Sequence, residues 1–353
     1  MRVVITGASG NVGTSVLEAL RDDDEITSVV GIARRRPRLR VPKVEWVEAD
    51  IRDADLSQLF EGADAVVHLA WLIQPSRDEA ELESVNVTGS DRVFAAASEA
   101  EVPKLVYASS VGAYSPGPKD RAVDESHPTD GIESSFYSRH KAKVERLLDS
   151  FERQNPSTTV VRLRPALIFK RDAASGIRRL FAGPFLPSPL LRRSLIPLIP
   201  SVTRLRFQAV HSLDVGEAYR LAIKRDVSGA FNVAADPVLD PDRLSKLLSA
   251  ARIRVPAPAL RLFTDLTWHL RLQPTPPGWL DMALAVPIMD STRARTELGW
   301  IPRFSSEQAL LDLLAGLRER DGLPTPPLNP DTGGPLRIRE LLTGVGGRGG
   351  AEG

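Results

Sequence analysis

Met1-Arg-Val-Val-Ile-Thr6-Gly7-Ala8-Ser9-Gly10-Asn11-Val12-Gly13 is an apolar, β-branched run that passes straight into a turn with glycine at every third position. Val3, Val4 and Ile5 suit a strand buried on both faces, and Val12 to Leu20 carries apolar residues at helical spacing. The glycines therefore fall at a strand-to-helix corner. Residues without a Cβ let the backbone turn tightly there, while the free N–H groups and positive dipole end of the helix face a negatively charged group. Gly7, Ser9, Gly10, Asn11, Val12 and Gly13 are the residues expected around a pyrophosphate, with Gly13 letting the helix lie close to the strand.

The spacing is G-x-x-G-x-x-G, not the G-x-G-x-x-G of the usual Rossmann fingerprint. Three unrelated glycines in a surface turn are the plain alternative. Their place directly after an apolar strand favours a dinucleotide site.

The chain has 353 residues, of which 42% are hydrophobic, enough for a sizeable core in one large domain or two coupled ones. Forty-six basic and forty-five acidic residues leave a net charge of +1, so no global field draws nucleic acid or an acidic membrane. The absence of cysteine excludes disulfides, thiolate metal sites and a cysteine nucleophile, in keeping with the expected cytoplasmic location. No metal site is expected. No signal peptide pattern precedes the first strand, and the apolar stretches 185–207 and 280–289 are too short or too broken by Arg and Pro to span a bilayer.

Short β-branched runs alternate with helical patterns through the first half, which predicts an α/β fold built on a doubly wound, Rossmann-like parallel sheet. Strands are expected at 2–6, 27–33, 44–48, 65–70, 104–109 and 159–164, and helices at 11–21, 82–100 and 134–154. The dinucleotide domain is assigned to 1–165, with later returns to the sheet near 207–235. A smaller mixed substrate-binding region is assigned to 166–318, and a Pro/Gly-rich tail over 319–353 is expected to lack order.

The end of the second strand selects between cofactors, because a carboxylate there bonds the ribose hydroxyls of NAD whereas arginine accommodates a 2′-phosphate. The sequence reads Ala33-Arg34-Arg35-Arg36, so NADP(H) is preferred and NAD(H) remains possible, Arg34 being the expected phosphate partner. A solvated basic loop is the alternative reading. Asp50, after the third strand, is placed either near the adenine amino group or as the N-cap of the next segment.

Two hydroxyl residues, Ser109 and Ser110, end the fifth strand at the sheet edge where open α/β folds bind ligands. Tyr137 and Lys141 stand four apart on a predicted helix and share one face. An ammonium beside a phenol is expected to favour phenolate and bring the phenol toward proton exchange with a carbinol or carbonyl, while a serine hydroxyl holds the same oxygen. His140, on another helix face, is read as a surface residue.

These residues together resemble the short-chain dehydrogenases/reductases of the extended, NAD-dependent epimerase/dehydratase type, over most of the chain. Thr6 to Gly13 is similar to the family's glycine turn, Asp50 to its adenine-side aspartate, and His68-Leu69-Ala70 to its H-x-A segment. Asn86-Val87-Thr88-Gly89 and Arg162-Leu163-Arg164-Pro165 resemble its N-V-x-G and L-R-P stretches. Val210 to Val215, Phe231-Asn232-Val233 and Glu297-Leu298-Gly299-Trp300 resemble its C-terminal signatures. The resemblance implies catalytic roles for Ser110, Tyr137 and Lys141. It also implies cofactor contacts from Ile51, Leu69, Ala70, Asn86, Ser109, Tyr137, Lys141 and Pro165, and a homodimer formed through two long helices.

Departures from the family narrow the reaction. Val111 and Gly112 replace the Asp-Glu pair of sugar 4,6-dehydratases, and Ala166-Leu167 stands where sugar epimerases place asparagine. Phe169-Lys170 replaces the usual aromatic-glycine pair. The Leu-, Pro- and Trp-rich later half, with Trp268, Trp279 and the 185–200 stretch, reads as an apolar substrate pocket or as ordinary core and loops. Arg192, Arg193, Arg204 and Arg206 are by default solvated, with an anion or membrane surface as alternatives. The expected activity is interconversion of a carbonyl and a secondary alcohol on a mostly apolar small molecule. A sugar epimerase and a non-catalytic NADP(H)-sensing regulator are the alternatives.

Overall fold

The computed structural model describes residues 1–74, 76–181 and 198–331. Arg192, Arg193 and most of the 185–200 stretch lie outside the described residues, as does the tail beyond 331.

Seven strands form one parallel sheet: β1 (Arg2–Thr6), β2 (Ser28–Ala33), β3 (Val44–Glu48), β4 (Ala65–His68), β5 (Lys104–Ala108), β6 (Thr159–Pro165) and β7 (Gly229–Val233). Their order is β7-β6-β5-β4-β1-β2-β3, so the direction of winding reverses between β1 and β4. A doubly wound sheet opens its ligand crevice at such a switch point, at the carboxyl ends of the strands. The registers Thr6↔Ile32 and Thr6↔His68 carry the glycine turn to that edge.

The principal helices are α1 (Asn11–Arg21), α2 (Gly89–Glu99), α3 (Phe136–Gln154), α4 (Ala174–Phe181), α5 (Ser212–Lys224), α6 (Ala257–His269), α7 (Gly278–Ala285) and α8 (Ser306–Glu319). One core lies under α1 and α5, where Val16, Leu17 and Leu20 meet Val215, Tyr219 and Ala222. The other packs Phe94, Ala97, Val144, Leu148 and Phe151 against Val4, Val66 and Leu105. The long helix expected at 82–100 starts earlier, at Glu79, and passes through a wider turn over Ser84–Thr88 before α2.

The seventh strand completes the sheet at 229–233, within the range expected to return to it. The family-like C-terminal residues act as locks in this architecture. Asp214, buried, accepts from the backbone N–H groups of Arg303 and Phe304 at 3.0 Å each, and Trp300 Nε1 donates to its carbonyl at 2.7 Å. Asn232 accepts from Tyr114 Oη at 2.6 Å, joining β7 to the loop after β5.

Residues 320–331 correct the composition-based reading of a tail without order from 319. Leu328 is 3% exposed and Thr325 1% exposed, and Arg38 N donates to Pro324 O at 3.1 Å. Composition predicts low average burial; it does not register that one leucine at the right spacing can anchor a proline-rich loop on a formed surface.

Candidate active site and dinucleotide cleft

The glycine turn is built as the spacing requires. Gly7 has φ of +76°, and a Cβ on it would stand 2.7 Å from Ala70 N, so only glycine fits between β1 and the end of β4. A Cβ on Gly13 would stand 2.5 Å from Ala8 O, which confirms that this residue sets how closely α1 approaches the turn. Gly13→Val is therefore expected to destabilise the chain by about 1–3 kcal/mol through overpacking, and to weaken dinucleotide binding, measured by thermal unfolding and by titration with NADP⁺.

A cleft at this corner is lined by Gly7, Ser9, Gly10, Arg34, Asp50, Ile51, Leu69 and Ala70, all expected as cofactor contacts, together with Arg35, Trp71 and Val85. This cradle, with backbone on one side and arginine at the rim, fits an adenine dinucleotide. The carboxylate of Asp50 is already engaged: Arg52 donates Nε to Oδ1 at 3.1 Å and Nη2 to Oδ2 at 2.8 Å. Those bonds and the nearby Arg34 hold it below the usual carboxylate range against the cost of burial. Asn11, at the start of α1, has a buried Oδ1 without a hydrogen-bond partner.

Asn86 stands behind the cleft. Its Oδ1 accepts from Leu72 N at 2.7 Å and its Nδ2 donates to Leu72 O at 2.8 Å, so it clamps the loop after β4. His68 is likewise architectural. It bridges Thr6 Oγ1 at 2.7 Å and Ser90 Oγ at 2.9 Å, and burial holds its pKa down to about 3, so it stays neutral.

Ser110, Tyr137 and Lys141 come together beyond β5. Ser110 caps a short turn, its Oγ accepting from Gly112 N at 3.0 Å, and its hydroxyl lies close enough to the Tyr137 phenol to lower its pKa. Tyr137 projects from the first turn of α3, which is N-capped by Ser135. Lys141 is 3% exposed and donates to Ala108 O at 2.6 Å. Its ammonium lies 3.3 Å from the centre of the Trp71 ring and 5.8 Å from that of Tyr137.

The expected depression of the phenol is not found. Burial pushes Tyr137 up to about 12, and the Ser110 hydroxyl only partly offsets this. Lys141 is itself pushed well below the ordinary lysine range by burial. The reason is burial of both side chains: the lysine nitrogen is turned to a carbonyl and an indole face, and the desolvated phenol keeps its proton at neutral pH.

Aromatic rings enclose that phenol. Trp279 lies tilted against it at 4.8 Å between centroids, Trp71 meets it edge-on at 5.9 Å, and Phe181 and Phe136 pack on Trp279 at 4.9 and 6.2 Å. Of the two tryptophans singled out in the sequence, Trp279 thus lies at the site, while Trp268 sits on α6 under the Arg77 guanidinium, 4.3 Å away. Arg204 is spent on Leu284 O and Gly117 O, and Arg206 lines a separate cavity with Lys119 and Gln208. His140, expected at the surface, is buried against Phe136.

Sequence reasoning missed Glu145, one turn beyond Lys141. This buried carboxylate accepts from Ser109 Oγ at 2.5 Å, from Arg164 Nε at 2.9 Å and from Arg162 Nη1 at 3.0 Å. Arg164 carries the network on to Tyr114 Oη at 3.2 Å. Ser109 thus supports the strand end and leaves Ser110 to face the phenol. The i, i+4, i+8 spacing of Tyr137, Lys141 and Glu145 on one helix face was the available signal. Lys170, at the departure noted after β6, is buried and donates to Thr14 Oγ1 at 2.7 Å and Ser15 Oγ at 3.1 Å, tying the substrate side to α1. Among the described residues no group of three His, Asp or Glu side chains is placed to hold a metal ion, and no helix is long and apolar enough to cross a membrane.

A doubly wound sheet with a glycine turn at its switch point and a Ser-Tyr-Lys set at the next strand end is the architecture of the extended short-chain dehydrogenases/reductases. The chain belongs to the NAD dependent epimerase/dehydratase family, whose profile matches residues 3–234. It is 28% identical to an uncharacterized protein of Mycobacterium tuberculosis over 92% of its own length, but spans only 31% of that relative. It is 25% identical to 4-hydroxy-2-methyl-3-oxo-4-farnesyl-3,4-dihydroquinoline-1-oxide ketoreductase of Stigmatella aurantiaca, covering 88% of this chain and 95% of that one. In fold it resembles the UDP-glucose 4-epimerase of Thermotoga maritima solved with UDP-glucose, with a TM-score of 0.68, 20% identity, and coverage of 90% and 99% of the two chains.

Proposed function

We propose that this chain is an NADP(H)-preferring oxidoreductase that interconverts a carbonyl and a secondary alcohol on a mostly apolar small molecule. The carrying observation is the Tyr137 phenol, set beside Ser110 and walled by Trp71 and Trp279. A half-buried, protonated phenol donates to a carbonyl oxygen, and Ser110 holds the same oxygen in place. Lys141, fixed on Ala108 O, positions the strand end and is assigned to the nicotinamide ribose. The nicotinamide, when bound, supplies or accepts the hydride. The aromatic walls exclude water and favour an apolar substrate over a polar sugar nucleotide. The test is NADPH oxidation followed across a panel of apolar ketones and aldehydes; turnover confined to nucleotide sugars would overturn the reading.

The preference for NADP(H) is supported by Arg34 at the rim of the cleft. Arg34→Asp is expected to lower kcat/KM for NADPH relative to NADH by about tenfold, roughly 1.4 kcal/mol. An unchanged ratio would assign the arginine to the solvent. The same Ser-Tyr-Lys set suits an epimerase that oxidises and re-reduces one carbon. That reading requires dinucleotide retained through purification and activity without added cofactor. We also propose a homodimer through α2 and α3 and a cytoplasmic location.

A further inference from the structure

The cleft just described has a wall from outside the family-matched region. Pro326 and Pro327 line it together with Gly7, Gly10, Arg34 and Asp50. They lie more than ninety residues beyond the matched 3–234 region. The segment that brings them there follows α8 and is tied down along its length. Arg171 at the head of the α4 turn forms ion pairs with Glu319 and Asp321, and Ser175 Oγ donates to Asp321 O at 3.1 Å. Arg38 N donates to Pro324 O, and Arg179 Nη2 donates to Pro327 O at 2.9 Å. Leu328 is buried and closes the loop through a bond from Leu323 N to Leu328 O at 3.2 Å. Pro324-Thr325-Pro326-Pro327 is stiff before any ligand arrives, because proline fixes φ and loses little entropy on ordering.

We propose that residues 320–331 are a strap that closes the adenosine end of the dinucleotide cleft, with Pro326 and Pro327 as the apolar wall against the adenine nucleotide. The inference rests on the dinucleotide reading of the cleft. Position supports the adenosine end: the segment is held to the β2–β3 connection by the bond from Arg38 N to Pro324 O, and the cleft it lines holds the ends of β2 and β3 but neither Tyr137 nor Ser110. A flat purine between a proline wall and the β2–β3 edge buries apolar area on both faces. The strap also stands across the route by which that end of the ligand leaves, so it slows dissociation more than it changes association.

The experiment uses the full chain with two independent variants. Leu328→Asp detaches the strap from outside the cleft, and the double variant Pro326→Gly/Pro327→Gly keeps the anchor but removes the rigid wall. Affinity for NADP⁺ and for adenosine 2′,5′-bisphosphate is measured by calorimetry, and the NADPH off-rate by stopped-flow fluorescence. Both variants are expected to weaken both ligands by about five- to tenfold, mainly by raising the off-rate. Circular dichroism and the melting temperature verify folding, and the double glycine variant decides the matter if Leu328→Asp fails to fold. If the wild type binds and the double variant binds equally well, the strap is overturned and the dinucleotide site stands. If the wild type binds neither NADP⁺ nor NAD⁺, both fall.

Discussion

Tyr137→Phe is expected to lower carbonyl reduction by about 10²- to 10⁴-fold in kcat while leaving the affinity for NADP⁺ within about twofold. The substitution removes one oxygen. The ring stays against Trp279, 4.8 Å away, and against Trp71, so the aromatic cage and the fold persist. What disappears is the hydroxyl beside Ser110, the proton donor for the reacting oxygen. Because burial holds the phenol up to about 12, the donor is fully protonated through neutrality. The wild-type reduction rate should therefore show no loss assignable to Tyr137 as pH rises from mildly acid to mildly alkaline. Full activity of the phenylalanine variant on a substrate the wild type reduces would reassign the chemistry.

Glu145→Ala is expected to cost stability on the order of 3–5 kcal/mol, because it leaves Arg162 and Arg164 buried without their shared carboxylate. For a chain of this size that corresponds to a fall in melting temperature on the order of 10 °C. Glu145→Gln, which keeps an acceptor for Ser109, should lose less. The guanidinium of Arg164, with that of Arg162, holds the Glu145 pKa down to about 2 despite burial. A carboxylate depressed in the folded state contributes stability that is present above its ordinary, unfolded value and is lost as pH falls toward the folded one. Acid destabilisation of the wild type between those values should thus be shallower in Glu145→Gln. The same change is expected to reduce kcat, because Ser109 and Tyr114 position the strand end that presents Ser110. A variant with wild-type melting behaviour would remove Glu145 from this role.

Much of the frame was legible because local sequence and buried position agree. β1, α1 and β3 fall at the limits expected, since β-branched runs in a fully buried parallel sheet and a glycine turn into a capped helix leave few alternatives. The wider turn at Ser84–Thr88 was not legible, because helical periodicity is insensitive to one extra residue in a turn. The order of the seven strands likewise had to be seen, since pairing between distant segments leaves no mark in the local pattern.

In the candidate site, residue type and spacing determined the members: Gly7, Gly10 and Gly13 at one corner, and Ser110, Tyr137 and Lys141 at another. Chemistry of that kind is confined to few residue types, and a helix places residues four apart on one face whatever surrounds it. The electrostatics were decided by tertiary structure alone. Whether Lys141 tunes the phenol or serves a carbonyl, whether Ser109 or Ser110 faces it, and whether Asp50 is free or held by Arg52 all depend on neighbours far away in the chain or on side-chain direction. Burial then sets the sign of each pKa shift, and burial belongs to the assembled fold. The glycine turn therefore pointed to a dinucleotide from thirteen residues. That a proline strap from the other end of the chain should wall the same cleft could be learned only once the chain had closed on itself.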